Sequence, residues 1–338
     1  MQKHDHLLKN FRMMPGVKQI FRTGRWLRSR FSKGALILLY HRVAQPDFDQ
    51  FSLCVTPENF IGHMEYLRNY ANPISLQEVS NSLETCEFPR RAVVITFDDG
   101  YADNFFNAQP ILEKYRIPAT FFIISGCVDQ VFWWEDLIQI IYQPVSLPTQ
   151  LNLTIENRNY AWQKSRADNI SSRRNLFKSL YHILRSMPPE YREQFLKELK
   201  IWSCIAKDHW HDRRPLKTNE LLALASNDHL EIGAHTVSHP RLANLTSSGQ
   251  EYEIIQSKVC LEKLLKRPVN SFSYSYGLKS DYNKTTSTIV KEAGFKLACS
   301  NFADLAWRKS DRYQLPRLWV NNWDKATFAR RLNRWLSS

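Results

Sequence analysis

No CxxC pair and no close cluster occurs among the six cysteines, Cys54, Cys86, Cys127, Cys204, Cys260 and Cys299. That argues against a disulfide framework or a thiol redox centre, and predicts reduced, structurally ordinary thiols. No apolar run approaches the ~20 residues a membrane span needs; Ala35 to Tyr40 and Ala119 to Ile124 are strand-sized. The N-terminal stretch has no early apolar core ahead of a small-residue cleavage site, so no export signal is read and a cytoplasmic protein is expected. Internal repeats and low-complexity tracts are also missing. Hydrophobic residues at 43% and aromatics at 13% exclude a disordered chain and supply a sizeable core.

Acidic residues are nearly absent from residues 1–35, where nine Lys and Arg face only Asp5, so most of the net charge of +13 sits in this arm. Val17, Ile20, Phe21, Gly24, Leu27 and Phe31 recur there at helical spacing, with Lys18, Arg22 and Arg25 on another face. The pattern predicts a basic amphipathic arm over 1–34. Such a helix either rests peripherally on an anionic membrane surface or packs its apolar stripe on the domain. No nucleic-acid motif accompanies the charge, and no nucleic-acid partner is expected.

The 338 residues suit one α/β barrel or two ordinary domains. Short apolar runs recur at Ala35–Tyr40, Ala92–Phe97, Ala119–Ile124, Leu230–Ala234, Ser271–Ser275, Lys296–Ser300 and Arg317–Val320. They do not alternate strictly, as expected of parallel strands buried on both faces. Helical patterns lie between most of them. Thr56-Pro57 opens one as cap and first-turn proline, and Ser248 with Glu251 reads as a capping box for another. About seven such strands favour a barrel. From about 127 to 227 the rhythm breaks, and helical patterns over 133–142, 175–187 and 190–202 predict an insertion in one barrel loop. Trp133 and Trp134 within it are read as core.

The reactive side chains fall at predicted strand ends. His41 follows the first run, Asp98 and Asp99 the second, His235 the fourth, and Tyr276-Gly277 the fifth. The loops at the C-terminal ends of parallel barrel strands converge on one mouth, where active sites assemble. Adjacent Asp98 and Asp99 point in different directions, so one is free to bind a metal while the other acts as base. His235 and His239 stand at i and i+4, a spacing that converges on one ion. No Glu follows His235, which excludes the zinc-protease HExxH helix. Two His and one Asp leave coordination positions open, as in a catalytic metal site.

Two long motifs carry a resemblance. TFDDGYADN (Thr96 to Asn104) with IPATFFI (Ile117 to Ile123), and EIGAHTVSHPRL (Glu231 to Leu242), resemble the first two motifs of the polysaccharide deacetylase, or NodB-homology, family. LLYHRV (Leu38 to Val43), AGFKLACS (Ala293 to Ser300) and LPRLWV (Leu315 to Val320) resemble its branch among polysaccharide biosynthesis enzymes. The resemblance implies a distorted (β/α)7 barrel over 35–338 and a divalent metal, usually zinc, held by Asp99, His235 and His239. It also implies that Asp98 is the general base. His41 replaces the late histidine of many members, since no histidine follows His239. Arg317 orients Asp98, and the Tyr276 backbone with neighbouring Tyr274 serves the oxyanion and substrate. The implied substrate is an N-acetylated glycan or a lipid-linked sugar. Ser275 stands where the family usually has proline, which predicts a less constrained loop. Two alternatives stay open: a catalytically silent carbohydrate-binding homologue, and non-haem iron chemistry on the same triad.

Overall fold

A computed structural model describes residues 34–142, 146–155, 157–163, 169–205 and 213–336. The basic arm expected over 1–34 lies, but for Gly34, outside the described residues. Seven parallel strands form the frame: β1 Gly34–Tyr40, β2 Ala92–Phe97, β3 Ala119–Ile123, β4 Leu230–Ala234, β5 Ser271–Ser273, β6 Leu297–Cys299 and β7 Leu318–Trp319. Each expected run yields one of them. Their order is β6-β5-β4-β3-β2-β1, with β7 on the far side of β1. Register is direct, with Ala35 opposite Ala92 and Ile95 opposite Ala119. Residues 312–317 complete the curl, because Leu315 bridges Cys299 of β6 just before the chain enters β7 beside β1. A distorted seven-stranded barrel results.

Strand parity divides the core. Leu36, Leu38, Val93, Ile95 and Phe97 pack with helix residues Phe60, Met64 and Leu67, while Ala35, Ile37, Val94, Phe122 and Leu315 form a separate cluster within the curl. The inward parity of β2 runs Ala92, Val94, Thr96 and then Asp98, so the strand's own period delivers a carboxylate to the barrel mouth. Gly233 of β4 makes room for the centre of this cluster. A Cβ there would stand 2.4 Å from Phe122 Cδ1 and 2.7 Å from Ser271 Oγ. Gly233→Ala is therefore expected to cost about 1–3 kcal/mol of stability by overpacking, measured by denaturant unfolding.

Helix α1, Pro57–Tyr70, starts as expected, with Thr56 Oγ1 accepting from Asn59 N at 3.3 Å. The second cap needs correction. Thr246, not Ser248, caps the helix beginning at Ser247, accepting from Gly249 N at 3.2 Å. Thr246 holds the extended backbone that a cap requires, whereas Ser248 is already helical.

Between β3 and β4 the chain builds α2 Trp133–Tyr142, α3 Ile170–Ser186 and α4 Pro189–Ser203 around a second core that includes Phe132, Leu137, Phe177 and Phe195. An antiparallel hairpin, Gln150–Ile155 with Arg158–Gln163, also belongs to this segment. Helix patterns alone had been expected there. The alternation Leu151, Leu153, Ile155 is the strand signal, short and half exposed, that marks it. No described helix is long and apolar enough to cross a membrane.

Candidate active site

His41, Asp98, Asp99, His235, His239 and Tyr276 converge on one cavity of about 500 Å³ at the C-terminal ends of the strands. The backbone is bent to bring them there. Asp99, Thr236, His239 and Tyr276 have φ of 74°, 67°, 56° and 62°. Left-handed non-glycine residues are uncommon, and a β-branched one such as Thr236 is an outlier. Four of them around one cavity mark a site whose geometry is imposed against local preference. Thr236 is held by its own side chain: Oγ1 accepts from His239 N at 3.0 Å and lies 3.1 Å from Ser275 Oγ. Ser275, expected to loosen its loop, is buried and ties it to the His235–His239 segment instead.

Asp99, His235 and His239 are all buried, with one ligand atom from each lying within 4.8 Å of the others. Asp99 Oδ1 stands 3.5 Å from Nε2 of both His235 and His239. That is long for hydrogen bonds, yet near the separation of about 3.3 Å between ligands placed 2.0–2.1 Å from one tetrahedral ion. His235 Nδ1 donates to Ser273 O at 2.7 Å, which fixes its tautomer and leaves the Nε2 lone pair toward Asp99. Burial pushes the His239 ring down to about 3, so it is a neutral donor at physiological pH. The set fits a divalent metal.

Burial would push the Asp98 carboxyl up, but the Arg317 guanidinium outweighs it and holds the group well below the usual carboxylate range. Arg317, itself buried, donates bidentately, Nη1 to Oδ1 and Nη2 to Oδ2, each at 2.7 Å. Its remaining donors reach Ser300 O at 2.9 Å, Ser273 Oγ at 2.8 Å and Thr96 Oγ1 at 3.2 Å. Arg317 stands one residue before β7 begins, not within it.

Because the folded Asp98 value lies below the unfolded value of about 3.9, this pairing stabilises fully above about pH 4 and is lost as pH falls through the folded value. Arg317→Met leaves burial unopposed by that partner, raising the carboxyl. The expected loss is about 3–5 kcal/mol at neutral pH. The sign of the Asp98 contribution reverses, so that stability falls as pH rises above about 4. Unfolding across pH 4 to 8 checks both.

His41 packs against Trp319 at 4.8 Å between ring centroids, with Nδ1 buried and without a hydrogen-bond partner among the described residues. Burial lowers its pKa, with Asp99 and Asp98 opposing. Asn104 holds the segment, donating from Nδ2 to His41 O at 2.8 Å, while Asp103 accepts from Arg42 Nε at 2.8 Å and Val43 N at 3.0 Å. The Asp-Asn end of the Thr96–Asn104 segment therefore anchors the strand end that carries His41.

Tyr274 is a correction. It was expected beside Tyr276 in the cleft, but it is buried outside the cavity, stacked on Tyr282 at 4.0 Å and donating its hydroxyl to Tyr313 O at 2.8 Å. Strand β5 ends at Ser273 and Tyr276 has positive φ, so the two-residue period does not carry from one tyrosine to the other. Trp133 and Trp134 are buried as expected, yet Trp134 also forms cavity wall, its Nε1 donating to Tyr101 Oη at 2.7 Å.

Reading the motifs alone missed Glu253. This buried carboxylate accepts from Val237 N at 2.8 Å, Ser238 N at 2.9 Å and Ser238 Oγ at 2.6 Å, holding the loop between the two histidines. Arg192 of α4 donates to Ser238 O at 2.7 Å from the other side. Tyr181 and Arg185 of α3 were missed as well, and both line the cavity. Neither lies near a motif, so sequence spacing held no signal for them.

Known proteins resemble this chain in sequence and in fold. The chain is 27% identical to YxkH of Bacillus subtilis (strain 168) over 183 residues, 52% of this chain and 64% of YxkH, so the match spans less than two thirds of that relative. It is 24% identical to the poly-beta-1,6-N-acetyl-D-glucosamine N-deacetylase of Staphylococcus aureus (strain MRSA252) over 314 residues, 89% of this chain and 82% of the relative. Its fold resembles the Streptococcus pyogenes deacetylase PplD, with a TM-score of 0.58 at 18% identity, covering 88% of this chain and 98% of PplD. A family profile described as polysaccharide deacetylase matches residues 86–151 and 187–298, more than half of the chain. With barrel, strand-end site and profile in agreement, the chain belongs to the polysaccharide deacetylase family.

Proposed function

We propose that this protein hydrolyses the acetamide of an N-acetylated sugar in a polysaccharide or a lipid-linked glycan precursor. One observation carries the reading: the buried Asp99–His235–His239 set lies beside an arginine-held Asp98 at the base of an aromatic cavity. Asp99, His235 and His239 would hold a divalent ion, zinc in the family's usual form. When bound, it would supply Lewis acidity to the acyl carbonyl and to the attacking water.

Asp98 takes the proton from that water, and the hydroxyl oxygen bonds to the acyl carbon. Arg317 keeps Asp98 ionised and aimed, which a carboxylate in so buried a place needs. The Tyr276 backbone N–H donates toward the acyl oxygen as it gains charge. His41 is neutral at rest. As negative charge gathers on that oxygen His41 takes up a proton from solvent and gives it to the departing nitrogen as the carbon–nitrogen bond breaks, while Asp98 returns its own proton to solvent. Acetate and a free amine leave. Trp134, Trp319 and Tyr276 offer ring faces to the sugar.

The test is to incubate the purified, metal-loaded chain with N-acetylglucosamine oligomers and N-acetylated sugar phosphates and to measure acetate and free amine together. Equal amounts of both support the reading. Neither product from any of these acetamides overturns it.

A further inference from the structure

The family profile leaves residues 152–186 unmatched, yet this stretch brings Tyr181 and Arg185 to the cavity wall. Every residue assigned above to the hydrolytic chemistry comes from elsewhere, so what α3 adds bears on recognition. The Arg185 guanidinium lies 3.8 Å over the Tyr276 ring, and that ring is 4.6 Å from the His239 ring. A cation therefore stands one aromatic ring away from the Asp99–His235–His239 set.

Its charge is incompletely matched. Arg185 Nη2 reaches Asp281 Oδ1 at 3.0 Å, but Arg241 Nε donates to the same oxygen at 2.8 Å. One carboxylate serves two guanidinium groups, while Asp98 on the cavity floor already has Arg317. Arg185 Nε is buried without a hydrogen-bond partner among the described residues. An unsatisfied buried donor is costly, and an acceptor oxygen on a ligand removes that cost. The side chain as a whole remains 28% exposed, so a ligand reaches it. Stacking on Tyr276 fixes the plane of the fork, whose edge matches the paired oxygens of a carboxylate or phosphate.

We propose that Arg185 is a specificity-determining residue that binds an anionic group, carboxylate or phosphate, on the substrate sugar or on the residue next to it. The inference rests on the cavity being the site of an N-acetylated sugar and names the class of that sugar: an acidic glycan unit or a phosphate-linked one. A neutral sugar offers the Arg185 donor hydroxyl and carbonyl oxygens but no charge to balance the guanidinium.

Calorimetric binding to the metal-loaded full chain tests this with three probes: the methyl glycoside of N-acetylglucosamine, N-acetylglucosaminuronic acid and N-acetylglucosamine 1-phosphate. At least one anionic probe is expected to bind about tenfold or more tightly than the neutral one, with a preference that shrinks as salt rises. Arg185→Gln is expected to abolish the preference, and Arg185→Lys to keep part of it, retaining the charge without the fork. Which anion wins separates a uronate-bearing glycan from a phosphate-linked precursor. Equal binding of all three probes overturns the proposal. So does a preference that survives Arg185→Gln, or a variant that weakens all three probes alike, as a purely structural clip to Asp281 does. Binding is scored without turnover, so failure to release acetate counts against the deacetylase reading and not against this one.

Discussion

Asp98→Asn is expected to lower kcat for acetate release about a thousandfold, within the range that a positioned base contributes, with KM little changed. The amide keeps the shape of the carboxylate and one acceptor oxygen, but it does not take a proton from water at neutral pH. The substitution also leaves the buried Arg317 without its counter-charge, and a lone buried charge of this kind costs about 3–5 kcal/mol. Two losses are thus superimposed, and they separate by measurement. Thermal unfolding reports the stability loss, and kcat taken well below the variant's Tm reports the chemistry. A folded Asp98→Asn protein turning over within tenfold of wild type would remove Asp98 from the role of base.

His235→Ala should reduce divalent metal in the purified protein from about one equivalent per chain to background, with acetate release falling alongside. Two protein donors remain where catalytic sites of this type use three. The loss is sharpened by what supports His235, since its Nδ1–H is committed to Ser273 O and its backbone N–H to Ile123 O. The imidazole is therefore an aimed donor. Elemental analysis of both proteins after dialysis against zinc gives the answer without any choice of substrate. Equal metal in both would place the ion elsewhere and void the ligand set.

Most of the strand frame was readable because buried parallel strands are continuous apolar runs, and those runs carried their reactive residues at a consistent end. The hairpin at 150–163 was harder to see, because its strands are half exposed and its turn lies in a segment dominated by helix patterns. Tyr274 was misplaced because the strand ends at Ser273 and Tyr276 itself is left-handed, invisible in the letters, so the alternation does not continue. Ser275 was misjudged for a related reason. A serine lost no constraint there, since Thr236 stands within hydrogen-bonding distance from another strand end.

By itself the sequence determined the seven strand runs, the family motifs and the residues that stand at each strand's C-terminal end, because all of these are local patterns of period and spacing. Tertiary structure alone decided the partners. Arg317 meets Asp98 across a separation of 219 residues, Glu253 reaches back to Val237 and Ser238, and α3 delivers Arg185 to the wall of a cavity whose reactive residues come from the strand ends. Such contacts depend on how the sheet curls and how the inserted helices dock. That is set by packing between distant segments, which no stretch of neighbouring residues records.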